Sequence, residues 1–599
     1  MNNKLRKSIT TLAFSLFATA ISFAQTAQEG FDQLNTDRSE EAGQTFKKLA
    51  ETSPSEQSLF NLGYYHVRIN QLDEARKVFE KALAEDSKSY INQVGMAMVE
   101  LGQGNREKGK EMIDYAVKKS RGKDANVLYR AGEAWSLFDK TSDPAEAIRL
   151  IDEATKVDNT LADAYIVKGD ILSKKNEGGQ AVTAYEYALT ARPNYAVANN
   201  RIGQIFLRGK QYNLALDYYK KAIEKNPDYA PAYKDLAELY YLAQQYKRAA
   251  ENFDLYIQKS GDKDPETVLR AAQFAFVADD YSRSLELLES IKGKIDNPIL
   301  KRMYGWSYYK TNNMEDAIKN LEEFIEVAPT TKDEDGNFRT LVPDDYKYLG
   351  RAYNKMASEG EYTEQGIQAL MKGADLDTNV AESAVTYKEI ANLYLKNKEY
   401  LKAGMAYDKG IAMDTAKANG NDYYQAGTAY QYVASNIALP DSTGKIDSLS
   451  LTKMPEGMAS LDSATLAAKK KEYYLKADSL FAFTSKKIPD WPYSYLQRAN
   501  VLYNIYGAQA NLDKGISLPH YEKFVEVADK DGSVNKSYFK QPYSYIALYY
   551  QTVGQDEAKA KTYWEKLLTV DPDNATAKQA LGMEPEPATA VTPKKGSSK

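Results

Sequence analysis

The segment YYKKAIEKNPDYAPAYKDLAELYY (Tyr218–Tyr241) repeats a pattern the chain has already used once. Tyr219, Ala222, Pro227, Tyr229 and Ala230 each stand 34 residues after Tyr185, Ala188, Pro193, Tyr195 and Ala196, in YEYALTARPNYAVANNRIGQIFLR. Each copy reads as a helix end, a Pro-marked turn and a new helix. A fixed period of this size means one small supersecondary unit made many times. Such a unit cannot bury its apolar face alone, so it must stack on its neighbours into an array.

The residues that recur have a common physical logic. Gly169, Ala181, Tyr185, Ala188 and Pro193 mark one unit, and Gly203, Phe206, Ala215, Tyr219, Ala222 and Pro227 mark the next. The last small residue, the ring and the second small residue fall on one face of the unit's second helix. Small residues let the two helices approach closely, and the ring fills the space beside them. Proline lacks an N–H and ends the helix or starts the turn. This set resembles the tetratricopeptide repeat, a helix–turn–helix family with small residues at positions 8, 20 and 27, aromatic or apolar ones near 11 and 24, and often Pro at 32. The resemblance implies an all-α, right-handed superhelical solenoid.

The pattern runs in both directions. Upstream come Gly30, Ala42, Phe46, Leu49 and Pro54, then Gly63, Ala75, Phe79 and Ala82, with weaker units at Ala97–Ala116 and Gly132–Ala154. Downstream come Ala237–Tyr256, Ala272–Ile291, Gly305–Pro329, Gly350–Gly373 and Ala391–Gly410. Further on, Gly427 and Tyr430 pair with Ala477, Phe481, Thr484 and Pro489 across an insertion. Ala499, Tyr521 and Phe524, then Ala547, Tyr550, Ala560, Trp564, Leu567 and Pro572, suggest the last units, and Asn574–Gly582 a capping helix. The whole is roughly fourteen helix–turn–helix units. The expected organisation is a leader at 1–24, an N-terminal array at 25–329, a polar loop at 330–343 and central units at 344–438. A Ser/Asp/Gly/Pro-rich insertion follows at 439–463, then divergent units and the cap at 464–583, and a disordered tail at 584–599.

Composition narrows the function. The chain has 599 residues, more than one compact core usually holds, with 27% charged and 43% hydrophobic residues. Its 78 basic and 83 acidic residues leave a net charge of −5, against a nucleic-acid partner. Absence of cysteine removes disulfides, thiolate metal sites, cysteine nucleophiles and a lipidated cysteine. The start, MNNKLRKSITTLAFSLFATAISFAQ, has the charged region (Lys4, Arg6, Lys7), apolar stretch and small residues of a secretory signal, with cleavage expected after Ala24. The alternative is an uncleaved anchor, for which the apolar part is short. No later segment is apolar and long enough to span a membrane. A periplasmic or secreted protein is the expectation.

Little in the sequence suggests catalysis. His66 occupies an aromatic position of its unit and His520 lies at a helix start in SLPHYEKF, so both read as packing or capping residues. The runs DEDGN (Asp333–Asn337) and DKDGS (Asp529–Ser533) place glycine fourth, where a calcium loop needs it sixth, and read as turns. No metal or cofactor is expected.

What remains is a surface. The resemblance implies that positions 2, 5, 9, 12 and 13 of each first helix point inward. These positions hold Arg302, Trp306, Tyr309 and Lys310, then Lys347, Arg351, Asn354 and Lys355, then Lys388, Asn392 and Lys396. This basic, aromatic stripe reads either as a binding face for an extended acidic peptide or as an ordinary charged solenoid face. Lys388 and Asn392 also match part of a carboxylate clamp found in some family members. Tyr424 and Gln425 stand where its second Asn belongs, and no Lys/Arg pair follows. The leading expectation is a non-enzymatic protein-binding scaffold of the bacterial envelope. The alternative is a glycan-binding component of an outer-membrane-associated uptake or assembly system.

Overall fold

The computed structural model describes residues 27–332, 339–358 and 361–583. The expected leader and tail, and the whole DEDGN run, lie outside them. Every element longer than one residue among the described residues is helical, and the helices pair in chain order into fourteen hairpins followed by the capping helix Ala575–Ala580. The chain divides after Met303 into two compact units. The all-α helical solenoid is thus the architecture of each.

The hairpins close in a recurrent way. Asn176, Lys210 and Gln244, at intervals of one repeat, take left-handed backbone (φ 57 to 61°) just after the first helix. Two groups then satisfy the helix end: the N–H of Gln211 donates to the Phe206 carbonyl at 2.9 Å, and that of Gln245 to Tyr240 at 2.8 Å. Helix starts are fixed by side chains. Ser55 and Ser58 form a reciprocal capping box, and Asp143 and Asp264 accept N–H bonds ahead of Pro144 and Pro265.

Inside the hairpins the small residue of the first helix meets a large apolar side chain of the second, an aromatic ring in many of them and Ile151, Leu321 or Leu370 in others. A Cβ built on Gly203 would lie 2.6 Å from the Tyr219 ring, one on Gly30 2.6 Å from Phe46, and one on Gly427 2.8 Å from Phe481. Tyr185, Tyr219, Phe46 and Phe79 are fully buried at these contacts. The Gly427–Phe481 contact joins Gly420–Asn436 to Ser463–Lys487 across the insertion.

The insertion differs from an idle surface loop. It contains the helix Ser448–Lys453, and Met458 is buried against Val433, Ile437 and Leu466, with Ile446 and Met454 packed beside them. Sparse apolar residues among Ser, Asp and Gly supply a small satellite core.

Gly203→Ala is expected to destabilise the chain by roughly 1–3 kcal/mol, because the added methyl overpacks against Tyr219. Gly179→Ala, with open space around its Cβ in Gly178–Ala191, should leave stability unchanged or raise it. Urea unfolding followed by helical circular dichroism separates the two.

Candidate functional site

The cations of the stripe are largely engaged within the second unit. Lys347 is buried, and its Nζ bonds Asp377 Oδ2 at 2.5 Å, thirty residues on. Arg351 makes a bidentate bond to Glu389 at 2.8 to 3.1 Å. Lys388 reaches Asp422 at 2.7 Å, and Asp422 is itself buried in the capping box of Gly420–Asn436. The Arg351 and Lys388 pairs tie one hairpin to the next, while Asp377 caps the second helix of Lys347's own hairpin. Burial works against the Asp377 carboxylate, but the Lys347 ammonium and the Asn379 N–H outweigh it and hold its pKa below the usual range.

Asn392 accepts a 2.5 Å bond from the Tyr407 hydroxyl, so its side chain completes its own hairpin. Asn354 accepts from the Thr363 N–H at 3.0 Å. Lys388 and Asn392 therefore already have partners within the chain where a carboxylate clamp would need their groups turned to a ligand.

The other part of the stripe forms a patch. The Tyr348 ring lies 5.7 Å from Trp306 and 5.0 Å from Tyr309. Lys355 Nζ sits 4.6 Å over Tyr309, and Lys310 Nζ 5.7 Å over Tyr348. The rings are half-buried and the two lysines exposed. Rings fixed by mutual packing offer apolar area at little entropic cost, and the ammonium groups above them suit anionic or carbonyl-rich partners. Arg302 falls before the division, half-buried in the first unit, and Lys396 is exposed at the end of Val380–Lys396.

Two features were missed in the sequence. Tyr348, between two flagged positions, is the hub of the patch. The carboxylate partners Asp377, Glu389 and Asp422 also escaped notice, although each stands 30 to 38 residues after its cation. A search for opposite charges one repeat apart would have found them. The folded insertion also walls a cleft of about 630 Å³ lined by Tyr400, Leu401, Tyr432, Asn436, Lys453 and Met454, among others. There the Tyr400 and Tyr432 rings stack at 4.6 Å.

The histidines form no site together. His66 Nδ1 lies 2.9 Å from Gln71 Oε1. His520, in Leu518–Asp531, is half-buried beside Arg498 and Asp478, and burial, with the Arg498 charge, pushes its pKa down to about 4. Among the described residues no group of three or more His, Asp or Glu is placed to hold a metal ion. No helix among them is long and apolar enough to cross a membrane.

Tetratricopeptide-repeat family models match residues 56–89, 196–229, 218–251 and 303–331. No curated protein matches the chain. Among solved structures, the C-terminal part of a TPR repeat-containing protein from Cytophaga hutchinsonii is 22% identical, covering 53% of this chain and all of that one, with a TM-score of 0.33. Pseudomonas aeruginosa pilF is 18% identical over 36% of this chain and 96% of its own, with a TM-score of 0.30. YrrB, described as a TPR protein with an unusual peptide-binding site, is 20% identical over 31% of this chain and 95% of its own, with a TM-score of 0.22.

Two outcomes follow from the geometry. Lys347→Ala leaves Asp377 without its buried partner and should cost about 1–3 kcal/mol in a urea titration, whereas Lys355→Ala, at an exposed lysine, should be near neutral. His520 is neutral when folded, so the unfolded chain takes up its proton first as pH falls below about 6.5. Stability should therefore decline from about pH 6.5 towards 4, and His520→Gln should flatten that part of the pH–stability curve.

Proposed function

The chain is a tetratricopeptide-repeat protein, and on that premise we propose that it is a non-enzymatic scaffold that binds a protein partner through the ring-and-lysine patch of its second unit. The observation that carries this reading is the convergence of Trp306, Tyr309 and Tyr348 under Lys310 and Lys355. Lys310 and Lys355 are exposed above the rings they cover. The partner is an extended or helical segment with acidic residues to meet the ammonium groups and an apolar side chain to pack on the rings. The leader-like start supports an envelope location, periplasmic or secreted.

The insertion's cleft favours a second reading, a glycan-binding component, because Tyr432 presents an exposed ring beside polar groups of Asn436 and Lys453. Binding of immobilised glycans that is lost in Tyr432→Ala would support it.

A crosslinking pull-down from the source organism's envelope extract tests the main reading, with the chain from Gln25 as bait. The comparison is Lys310→Glu/Lys355→Glu/Trp306→Ala, checked for wild-type helicity. Partners captured by the wild type and lost by the variant support the patch. Partners captured equally by both, or by neither, count against it.

A further inference from the structure

The last hairpins of the second unit bring four rings into one row. The Tyr424 ring lies 4.4 Å from Trp491, Trp491 6.1 Å from Tyr493, and Tyr493 5.3 Å from Tyr538. The last two steps turn by 70° and 80°, so the row is ridged rather than a flat stack. Tyr424 belongs to Gly420–Asn436, Trp491 caps Pro492–Tyr506 and Tyr538 lies in the short turn Lys536–Phe539. Phe481, Tyr521 and Trp564 are the buried rings that close these hairpins, so the row is surplus to that task. Tyr538 is 47% exposed, and Trp491 and Tyr493 are half-buried. Burial pushes the Tyr424 phenol up, a bond with Gln497 opposes the rise, and the phenols of Tyr538, Tyr432 and Tyr493 add to it. The hydroxyls of Tyr493 and Tyr538 and the indole N–H of Trp491 donate to no group among the described residues.

Unpaired charges of opposite sign stand along the row. Lys536 precedes Tyr538 by two residues, and Asp490 directly precedes Trp491. Burial, the Tyr538 phenol and the Asp531 charge together push the Tyr493 phenol up. Lys536, Asp490 and Asp531 are exposed, and none has an ion-pair partner among the described residues. The chain carries a segment whose chemistry follows the same order, beyond the described residues. Glu584-Pro585-Glu586-Pro587 holds two acids, Ala588–Pro593 small and apolar residues with a third proline, and Lys594-Lys595 two bases. Proline, and the residue before it, favour extended polyproline backbone. Such backbone has free carbonyls for indole and phenol donors, and its proline rings fit between aromatic ones. The segment can reach the row. Asn574 bonds Asp571 at 3.0 Å, and Asp571 accepts from Lys540 at 3.0 Å, two residues after Tyr538. Helical rise through Ala575–Ala580 puts Met583 within roughly 15 Å of Asn574. Glu584–Lys595 in polyproline form spans about 35 Å.

We propose that the proline-containing segment Glu584–Lys595 docks, extended, on the Tyr424–Trp491–Tyr493–Tyr538 row of its own chain. Glu584 and Glu586 face Lys536, the prolines and Val591 pack on the rings, and Lys594 and Lys595 face Asp490 and Asp531. A proline-containing segment of another protein binds this row only against the high local concentration of the tail. The site is separate from the Trp306 patch and stands whatever that patch binds.

The probe is a fluorescently labelled peptide of residues 584–595, titrated by anisotropy into the chain from Gln25. Pro585→Gly/Pro587→Gly/Pro593→Gly, altered only in the tail, should bind it at least tenfold more tightly than the wild type, whose own tail holds the row. Adding Tyr538→Ser, at an exposed ring, should abolish the gain. Adding Lys536→Glu instead should weaken binding at least threefold, by a margin that shrinks with added salt. Should Tyr538→Ser lose wild-type helicity, Lys536→Glu decides. No binding by the triple variant, binding no tighter than that of the wild type, or binding indifferent to the added substitutions would overturn the proposal.

Discussion

A small residue in one helix meeting a large apolar side chain in the next, in several hairpins a glycine against an aromatic ring, is the contact on which the array depends. Where Gly203 meets Tyr219, or Gly30 meets Phe46, there is room for a hydrogen and none for a methyl. That closeness sets the distance between the two helices of a hairpin. It thereby sets which apolar residues are left for the neighbouring hairpin to cover. The array is a sum of such local contacts, each hairpin stabilised by its neighbours rather than by a central core.

Tyrosine and phenylalanine share the ring position, as Tyr185, Tyr219, Tyr407 and Tyr521 against Phe46, Phe79, Phe253 and Phe481, and the tyrosines bring a polar group with them. A ring pushed through the hairpin carries its hydroxyl to the far side, where a buried phenol needs an acceptor. In three hairpins the residue after the small one supplies it. Tyr185 bonds Asp170 at 2.7 Å, Tyr407 bonds Asn392 at 2.5 Å and Tyr521 bonds Asn500 at 2.9 Å. Between hairpins a second set of polar bonds takes over. Asn200 and Gln204 donate to Asp235 at 2.7 Å, Arg270 holds Glu238, Arg351 holds Glu389 and Lys388 holds Asp422. These bonds make polar side chains a working part of the stack.

That division marks the boundary of what was legible in the sequence. The hairpins, their order and the pairing of Gly427 with Phe481 across the insertion follow from small and aromatic residues at fixed spacing, because steric fit is local. The stripe was legible as positions, since Trp306, Tyr309, Lys310 and Lys355 do come together. Its chemistry was not, because a cation's partner one repeat away is invisible to a reading made unit by unit. Lys347 looked like a surface charge and is buried against Asp377. The ordered insertion was hidden for a related reason: Met458 and Ile446 are too few to show a period, yet enough to cover Val433 and Ile437. Contact between helix 27–35 and residues 192–229 depends on curvature accumulated over several hairpins, which no single repeat encodes.

The most direct test of the account is a double-mutant cycle between Gly203→Ala and Tyr219→Ala, read by urea unfolding. If the ring occupies the space above the glycine, a methyl at position 203 is costly beside Tyr219 and harmless or helpful once the ring is gone. The predicted coupling is at least about 1 kcal/mol. An equal cost of Gly203→Ala in both backgrounds would mean that the glycine serves something other than the ring, and the close approach could not then be what sets the geometry of the array.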